Sequence, residues 1–467
     1  MEALTSLRRS FGFLAAGQAV GRLFTFGTTL YLARVLGAEP FGALTFAIAV
    51  VAYAAVIVDF GFDALGPVEM ARRGASPAAL VGTVMTVRLG LAAAAVSALA
   101  AFAFVAPLDP TTVRLLLVFG LSLPIAALDL RWALLGTESM AAVAAAEVVL
   151  QAVPMMGALL FVRGPGDLWI VPLTLVAAQG ACAAAGWAAW AARWGWPRLG
   201  TDRDLARTLL SAAFPLVGSA AVGVLLHNFD LVLIGLWLGL GPAGRYGAAA
   251  RVVWLPTVLL VAYTAAVRPT IVRAHAEGPS MVEVVVSRSH RLMAVAGLGG
   301  AVGGAILARP LLEALYGSAY TAGAPALRVL LAALLLMVFS RPYRVLLVAA
   351  RKQGWDFRIL LAAAVVNVAG NVAFLPRLGL LGAALATLAS EALLLALAHA
   401  AVRRLAPGIG LVRHLVRPAL CAGVMAALLI ATPSWPLVAR VAAGAACYAA
   451  LVLALRLVDL RPVDGVV

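Results

Sequence analysis

The stretch Leu36–Gly42 reads LGAEPFG, and Leu238–Gly244 reads LGLGPAG, with leucine, glycine, proline and glycine at the same offsets 202 residues apart. A second pattern agrees with it: Arg-Leu followed 19 residues later by Pro-Leu begins at Arg88 and again at Arg291, an offset of 203. Self-similarity at a fixed offset is the sequence signature of a structural repeat. The two offsets predict two copies of one six-helix unit, each with this turn between its first two helices.

The composition indicates a polytopic membrane protein. Hydrophobic residues make up 64% of the 467 positions, charged residues only 12%, and the mean hydropathy is +1.03. Apolar runs of about 20 residues, each long enough to cross about 30 Å of hydrocarbon as a helix, recur along the chain. We predict fourteen spans, at residues 10–33, 41–60, 78–106, 112–130, 141–162, 168–192, 208–238, 246–267, 292–308, 325–340, 359–375, 379–402, 415–431 and 437–455.

The placement of the basic residues accounts for the net charge of +15. Alternate connections between the predicted spans, together with both termini, hold 24 Lys and Arg residues, and the opposite set of connections holds 6. Basic residues in short loops stay on the cytoplasmic side of a membrane. The asymmetry predicts that both termini lie in the cytoplasm, and it removes the case for nucleic-acid binding that such a charge makes in a soluble protein.

An even number of spans in each copy leaves both copies in the same membrane orientation, so a pseudo-twofold axis along the membrane normal relates them. We predict an all-α polytopic membrane protein with an N-terminal lobe at residues 1–200, a C-terminal lobe at 201–405, and two further helices with a tail at 406–467. The longest connection covers about residues 268–291, which is too short for a soluble catalytic domain.

No cofactor or metal site is expected from the residue pattern. Cys182, Cys421 and Cys447 all lie in apolar runs, without the spacing of a metal site or a disulfide framework. Asp202 and Asp204 have the spacing of a metal-binding acidic pair, but they lie in an arginine-rich cytoplasmic connection. A solvated loop or a helix start before span seven is the simpler interpretation of that triplet.

Five stretches of the chain carry a resemblance to a known family. They read YLARVLGAEPFGALTFA (residues 31–47), DFGFD (59–63), DLVLIGLWLGLGPAGRYGAAARV (230–252), LLEALYGSAYTAGAPALRVL (311–330) and NVAGNVAFLPRLGLLGAALATLASE (367–391). In this order they resemble the polysaccharide-biosynthesis branch of the multidrug/oligosaccharidyl-lipid/polysaccharide exporter superfamily, which contains the O-antigen and exopolysaccharide flippases. The resemblance covers roughly the whole chain.

The resemblance implies a transporter of the bacterial cytoplasmic (inner) membrane rather than an enzyme. It implies twelve to fourteen helices in two lobes around a central cavity. The expected activity is translocation of a polyprenyl-pyrophosphate-linked glycan from the cytoplasmic to the external leaflet by alternating access. A glycan polymerase is then a candidate partner, and membrane lipids surround the chain.

Arginines within the spans are the candidate ligands of the pyrophosphate. A guanidinium stays charged and binds phosphate oxygens through paired hydrogen bonds, and charges at membrane depth generally face a cavity or a partner. Arg22 lies in the middle of span one, Arg88 about ten residues into span three, and Arg251 in the first turns of span eight. Arg88 and Arg251 have the alternatives of pairing with an acid or reaching an interface.

Polar residues within the spans are candidates for coupling to H+ or Na+, because a carboxylate in a low-dielectric cavity can exchange a proton or hold a cation. The alternative role of such residues is hydrogen bonding between membrane helices, which we favour for the two asparagines. Asp59 and Asp63 of DFGFD are better explained as a polar helix end. The coupling candidates are Glu147, His227, Asp230, Asn367, Asn371 and Glu391.

Three other functions share parts of this pattern. An ion-coupled drug or small-molecule exporter of the same superfamily would have the same fold, although a cation exporter favours acids over arginines in its cavity. A lipid II flippase is expected to have a more densely cationic first lobe. A membrane glycosyltransferase or polymerase would use the same lipid, but it is expected to have a large external loop.

Overall fold

The computed structural model describes residues 21–72, 76–196, 200, 202–411 and 414–457. The chain divides into two compact units, Met1–Gly244 and Arg245–Val467. Within the described residues all regular secondary structure is helical, so the predicted all-α class is confirmed. The lobe boundaries at residues 200 and 405 remain predictions.

The first unit contains ten helices and the start of an eleventh. They are α1 (residues 21–36), α2 (Ala38–Asp59), α3 (Phe62–Ala71), α4 (Pro77–Val105), α5 (Pro110–Gly120), α6 (Ser122–Ala127), α7 (Arg131–Gly136), α8 (Met140–Phe161), α9 (Ile170–Trp194), α10 (Arg203–Trp237) and the first turn of α11 (Leu240–Glu277). The fourth predicted span, residues 112–130, therefore contains two short helices, α5 and α6, rather than one, and α7 follows it. A short 3-10 turn, Pro165–Asp167, precedes α9.

The second unit continues α11 and adds seven helices. They are α12 (Pro279–Ile306), α13 (Ala308–Tyr316), α14 (Ala324–Ala349), α15 (Gln353–Leu378), α16 (Leu380–Arg403), α17 (Val416–Ala431) and α18 (Leu437–Ala454). The connection expected at residues 268–291 is helical for most of its length, because α11 ends at Glu277 and α12 begins at Pro279. A helix bend of 78° separates α12 from α13.

Among the described residues, ten helices are long and apolar enough to cross a membrane, or eleven if the bent pair α12 and α13 is one span. The helix α17 is apolar but shorter, and the part of α1 that precedes residue 21 lies outside the described residues. The chain is a multi-pass membrane protein, and the count of fourteen spans stays a prediction.

The repeated turn joins helices in both places, as predicted. Gly37 lies between α1 and α2 with φ 80°, and Gly239 lies between α10 and α11 with φ 93°. A backbone in this left-handed region favours glycine, since other residues place their Cβ too close to the backbone. The two copies of the turn therefore have the same glycine requirement at the same offset.

The two copies also pack against each other. A Cβ added to Gly42 would overlap the carbonyl oxygen of Leu240, and a Cβ added to Gly244 would overlap the carbonyl oxygen of Ala38. Gly244 lies 202 residues after Gly42, and Leu240 lies 202 residues after Ala38, so the start of α2 and the start of α11 meet backbone to backbone through equivalent positions. Small residues permit such close helix contact in membranes.

Each unit has its own apolar core. In the first unit, Trp132 and Trp190 are almost fully buried with Phe62 and Met85. The ring of Trp132 fills the space above Gly66 of α3, where a Cβ would overlap it. In the second unit, the core is built around Tyr343 of α14 and residues of α12 and α16. These cores hold the polar side chains described below in place.

Candidate functional site

The DFGFD stretch ends α2 and begins α3 by a tight break. Phe60 has φ 49° and Gly61 has φ 83°, both in the left-handed region. The carboxylate of Asp59 accepts hydrogen bonds from the backbone N–H groups of Gly61 (3.1 Å) and Asp63 (3.0 Å). Asp59 therefore stabilises the break, and both carboxylates of the motif come to one side of the helix pair.

Arg88 of α4 lies beneath those two carboxylates and is only 3% exposed. Its Nη1 is 3.4 Å from Asp63 Oδ1, and its Nη2 is 3.5 Å from Asp59 Oδ1. The Nε atom is buried and has no hydrogen-bond partner among the described residues. Arg88 is thus an arginine that the fold pairs with two acids, the alternative that the sequence left open. We call Asp59, Asp63 and Arg88 the α2–α4 cluster.

A second ion cluster in the first unit contains Glu147. Its Oε1 accepts a hydrogen bond of 2.8 Å from Nη1 of Arg131, and Nε of Arg131 donates to Asp129 Oδ2 at 2.6 Å. Arg131 therefore joins the start of α7 to α8. The sequence places Arg131 in a connection between spans, and its one local indication of this role is the Asp-x-Arg spacing at the end of an apolar run.

One helical turn after Glu147, Gln151 connects α8 to α1. Its side-chain oxygen accepts a hydrogen bond of 2.6 Å from the hydroxyl of Thr25. A Cβ on Gly21 would lie 3.1 Å from Cγ of Gln151, so the two helices are closely packed at that level. This face of α8 is therefore used for packing and ion pairing within the first unit.

The second unit repeats the arginine and acid arrangement. Arg344 of α14 forms a two-point ion pair with Asp356 of α15, with Nε–Oδ1 at 2.7 Å and Nη2–Oδ2 at 2.9 Å. Arg344 lies seven residues before Arg351, whose φ is 56°, as Arg131 lies seven residues before Glu138, whose φ is 59°.

The helix ends beside these two arginines are also alike. In the first unit, the N–H of Ser139 donates to the carbonyl of Leu134, and in the second unit the N–H of Lys352 donates to the carbonyl of Leu347. The donors and the acceptors are both 213 residues apart. The same helix end thus carries the same kind of ion pair in both units, although the residues that follow differ.

Glu391 of α16 lies beside this ion pair. Electrostatic contacts connect it to Arg341 and Arg344. Its Oε2 atom and the Nε atom of Arg341 are both buried, and neither has a hydrogen-bond partner among the described residues. Arg341, Arg344, Asp356 and Glu391 form the α14–α16 cluster, in which two arginines face two carboxylates.

The two asparagines predicted to share a face of one helix are both fully buried in α15. The side-chain amide of Asn371 donates to the backbone carbonyl of Asn367 at 3.0 Å and to its side-chain oxygen at 3.3 Å. Between them, Gly370 lies against Ala386 of α16, where an added Cβ would come within 2.9 Å. Both hydrogen bonds lie within α15, beside a close contact with α16, so hydrogen bonding of these asparagines between helices stays a prediction.

His227 and Asp230 of α10 have different environments. The His227 side chain is exposed, whereas Asp230 is buried. Asp230 is in electrostatic contact with Tyr53 of α2, whose buried hydroxyl has no hydrogen-bond partner among the described residues. The buried acid thus faces the α2 side of α10, and the histidine does not share its environment.

The remaining two candidate arginines differ from Arg88. Arg22 is exposed at the beginning of the described part of α1, and Arg251 is half-buried in α11. Among the described residues, no acid forms an ion pair with either of them. Arg251 is in electrostatic contact with Tyr316 of α13, a tyrosine that is 2% exposed. No feature of the local sequence indicates a role for Tyr316.

The acidic pair Asp202 and Asp204 has a helix-capping role. The Asp202 carboxylate accepts from the backbone N–H groups of Asp204 and Leu205, each at 3.1 Å. A side-chain oxygen at this position satisfies donors that the first turn of a helix leaves free. The helix-start interpretation of the triplet is confirmed.

Solved structures similar to this chain are membrane transporters. A lipid II flippase, MurJ, in an inward closed conformation matches with a TM-score of 0.78 and 13% identity, over 95% of this chain and 98% of that one. An inward-facing multidrug resistance MATE family transporter of the MOP superfamily matches with a TM-score of 0.67 and 15% identity, over 82% and 95%. A MOP superfamily transporter from Pyrococcus furiosus has a TM-score of 0.56 and 14% identity, over 85% and 96%.

At these identities the similarity shows the fold, which is that of the MurJ and MATE transporters. No curated protein matches the sequence significantly. The family model described as "Polysaccharide biosynthesis protein" matches residues 7–275, more than half of the chain. The chain therefore belongs to the polysaccharide biosynthesis protein family and has the fold of MOP superfamily transporters.

Proposed function

We propose that this protein is a flippase that moves a polyprenyl-pyrophosphate-linked oligosaccharide from the cytoplasmic to the external leaflet of a bacterial inner membrane by alternating access. Its termini are cytoplasmic in this proposal, as the distribution of basic residues indicates. Family membership and a transporter fold support the proposal, and neither is typical of an enzyme.

The observation that carries the proposal is the balance of charge within the helices. Acids of both units are paired with arginines: Asp59 and Asp63 with Arg88, Asp129 and Glu147 with Arg131, and Asp356 with Arg344. Arg22 and Arg251 are not paired with any described acid. The positive charge left over fits an anionic substrate, because a charge at membrane depth needs a partner.

Arg22 and Arg251 are accordingly our proposed ligands of the pyrophosphate. Arg88 would contribute only if Asp59 and Asp63 released it. Coupling to H+ or Na+ is assigned to Asp230 and Glu391, because Asp230 is buried within α10 and Glu391 has a buried carboxylate oxygen within α16. Glu147, His227, Asn367 and Asn371 have a weaker case, because they are paired, exposed or engaged in helix packing.

The first experiment measures on which side of the membrane the lipid-linked glycan lies. Membranes from cells with and without this protein are labelled by a reagent that does not cross the bilayer. We expect the glycan to accumulate on the cytoplasmic side on depletion and to return to the external side when the protein is restored. Unchanged sidedness, with new sensitivity to small toxic compounds, would favour the exporter alternative.

The second experiment replaces Arg22 by Ala. We expect transport to fall to background while membrane insertion and thermal stability stay at wild-type values, because this exposed side chain holds no other described residue. Arg114→Ala is the matched control, since Arg114 is also an exposed helical arginine. Normal transport by Arg22→Ala would show that the pyrophosphate is bound elsewhere.

A further inference from the structure

Three of the five histidines of the chain lie close together in the second unit. His290 is in α12, His399 is near the end of α16, and His414 is in the connection that leads to α17. Electrostatic contacts connect His290 to both of the others. The distribution of basic residues predicts that this end of the three segments faces the cytoplasm. We call these histidines, together with Tyr343 of α14, the histidine cluster.

Tyr343 connects the helices that carry the cluster. Its ring centroid lies 4.5 Å from that of His290 and 5.4 Å from that of His399. Its hydroxyl oxygen is 2.9 Å from Nδ1 of His399, within hydrogen-bond distance. Tyr343 is fully buried and belongs to the apolar core of the second unit. A change at the cluster therefore acts on the contact between α12, α14 and α16.

The hydrogen bond of His290 determines where its proton lies. Nε2 is 3.1 Å from the backbone carbonyl oxygen of Phe339. A carbonyl oxygen only accepts, so Nε2 carries the proton of the neutral ring and Nδ1 carries the lone pair. Nδ1 is buried and has no hydrogen-bond partner among the described residues. The carbonyl of Val286, in the preceding turn, is near the ring but forms no hydrogen bond with Nδ1. A second proton would therefore lie on a buried atom without a hydrogen bond.

The charged and titratable groups that face the cluster are basic or neutral among the described residues. His290 is faced by His399 and His414. His399 is faced in turn by Arg403 of the same helix. From α11, Tyr263 packs against the same core, and α15 contributes apolar side chains to it. A positive charge on His290 would therefore meet neighbouring positive charge, which disfavours it.

The closed cluster thus fits a neutral His290. An imidazole in water gains its second proton near pH 6.5. A state in which α12 and α14 separate at this level would admit water and would bind a proton that the closed cluster excludes. Protons favour the state that binds more of them. From about pH 7.5 to about pH 5.5, the equilibrium for such an opening shifts by about tenfold for each histidine that is protonated only in the open state.

We propose that the histidine cluster is a pH-sensitive contact of the second unit, closed near neutral pH and opened as the cytoplasm becomes acidic. Opening separates α12 from α14 within the core of this unit, so transport slows in an acidified cell. The effect on transport rests on the proposed function, whereas the opening itself does not.

The first test measures the opening of the purified full-length protein by thiol labelling. Ser340→Cys places a thiol next to Phe339, at a position that is 1% exposed. The exposed position of Gly354→Cys corrects for the effect of pH on thiol reactivity. We expect the ratio of the two labelling rates to rise about tenfold from about pH 7.5 to about pH 5.5. Adding His290→Gln should make the ratio independent of pH, because glutamine keeps an amide donor for the Phe339 carbonyl and does not titrate.

A second variant keeps the test informative if His290→Gln does not fold. His399→Asn retains an acceptor for the Tyr343 hydroxyl and removes one neighbouring base, so the rise in the labelling ratio should become smaller. The matched controls are His227→Gln and His275→Gln, which remove the other two histidines of the chain, both of them exposed. Both controls should keep the pH dependence of the wild type.

Three results would overturn the proposal. The first is a wild-type labelling ratio that does not change with pH. The second is a rise that persists in full in both His290→Gln and His399→Asn, because the cluster would then not be the group that titrates. The third is a rise that disappears in either control, which would assign the pH dependence to an exposed histidine outside the cluster.

Transport supplies a second readout that separates this proposal from the proposed function. In cells whose cytoplasm is acidified by a permeant weak acid, the wild type should move the glycan lipid more slowly, and His290→Gln should be less inhibited. A pH-dependent labelling ratio in a protein that has no effect on the sidedness of the glycan lipid would retain the pH-sensitive contact and exclude the flippase role. A protein that changes the sidedness but has a pH-independent labelling ratio would give the reverse result.

Discussion

Gly42 and Gly244 are positions where one methyl group is too large. Each faces a carbonyl oxygen of the other copy of the repeated turn, at Leu240 and Ala38 respectively. Backbone atoms cannot rotate away as a flexible side chain can, so the cost of a Cβ at either position is a separation of the helices. The glycines at the end of the repeated sequence are thus the positions at which the two helices cross.

Replacement of Gly42 by Ala is expected to lower the free energy of unfolding by about 1–3 kcal/mol, the usual cost of overpacking. The measurement is the thermal midpoint of the purified protein in detergent. Gly90→Ala is the control, because Gly90 of α4 has no atom within 4 Å of an added Cβ and alanine is the better helix former. Equal midpoints for Gly42→Ala and the wild type would mean that the helices do not cross here.

The single side chain of Arg88 likewise determines whether two acids, Asp59 and Asp63, are neutralised. Arg88→Met should destabilise the protein because it leaves Asp59 and Asp63 without their cation. The loss of unfolding free energy should be smaller than the cost of about 3–5 kcal/mol for breaking a fully buried ion pair. The reason is that these carboxylate side chains are 28% and 59% exposed. The thermal midpoint measures it.

Adding Asp63→Asn to Arg88→Met should recover part of the lost stability, because it removes one unpaired charge. No recovery in the double variant would contradict the pairing. A stable Arg88→Met protein that fails in transport would instead restore Arg88 as a ligand of the substrate.

At the scale of elements, the arginine and acid pairs connect consecutive helices within each unit. Arg131 joins α7 to α8, and Arg344 joins α14 to α15. Both ion pairs cross helix ends that have equivalent hydrogen bonds. Paired side chains in these positions connect helices that follow one another in the chain. The same device in both units supports a common origin of the two copies.

A double-mutant cycle on Arg344→Ala and Asp356→Ala should give a coupling energy of about 0.5–3 kcal/mol, because the two residues share two hydrogen bonds. Arg72 and Glu69 are the control pair. Their ion pair is at the surface, with Arg72 70% exposed, and such pairs contribute about 0.2–1 kcal/mol. Equal coupling in the two cycles would show that Arg344 does not pin the helices together.

At the scale of the whole molecule, the distribution of basic residues predicts which connections face the cytoplasm. Gly166 lies in a connection with few basic residues, and Gly354 lies in one that is rich in them. Both positions are exposed, and an added Cβ meets no atom within 4 Å at either one. They are therefore suitable for placing a reporter without disturbing the packing.

Intact cells expressing Gly166→Cys should be labelled by a thiol reagent that does not cross the membrane, and cells expressing Gly354→Cys should be labelled only after permeabilisation. Labelling of the native Cys182, Cys421 and Cys447 gives the background, and it is measured with the unsubstituted protein. Labelling of Gly354→Cys from outside would reverse the orientation and, with it, the direction assigned to transport.

The composition, the apolar runs and the internal repeat could be recognised in the sequence, because each depends on residues near one another in the chain or on a fixed offset. Runs of apolar residues predicted helices across a membrane, the offset of 202 located the turns at Gly37 and Gly239, and the ordered motifs indicated the family. Helix ends were harder. The fourth span breaks into α5 and α6, since the break depends on packing as well as on hydropathy.

Only the tertiary structure decided which charges are paired. Arg88 meets an acid 25 residues away, Arg131 meets one 16 residues away, and Glu391 lies near Arg341 across 50 positions. Nothing in the local pattern distinguishes Arg88 from Arg22, because an ion pair needs two side chains to meet in space. The sequence determined that arginines lie within membrane helices, and packing determined that Arg88, Arg131 and Arg344 among them are paired with acids.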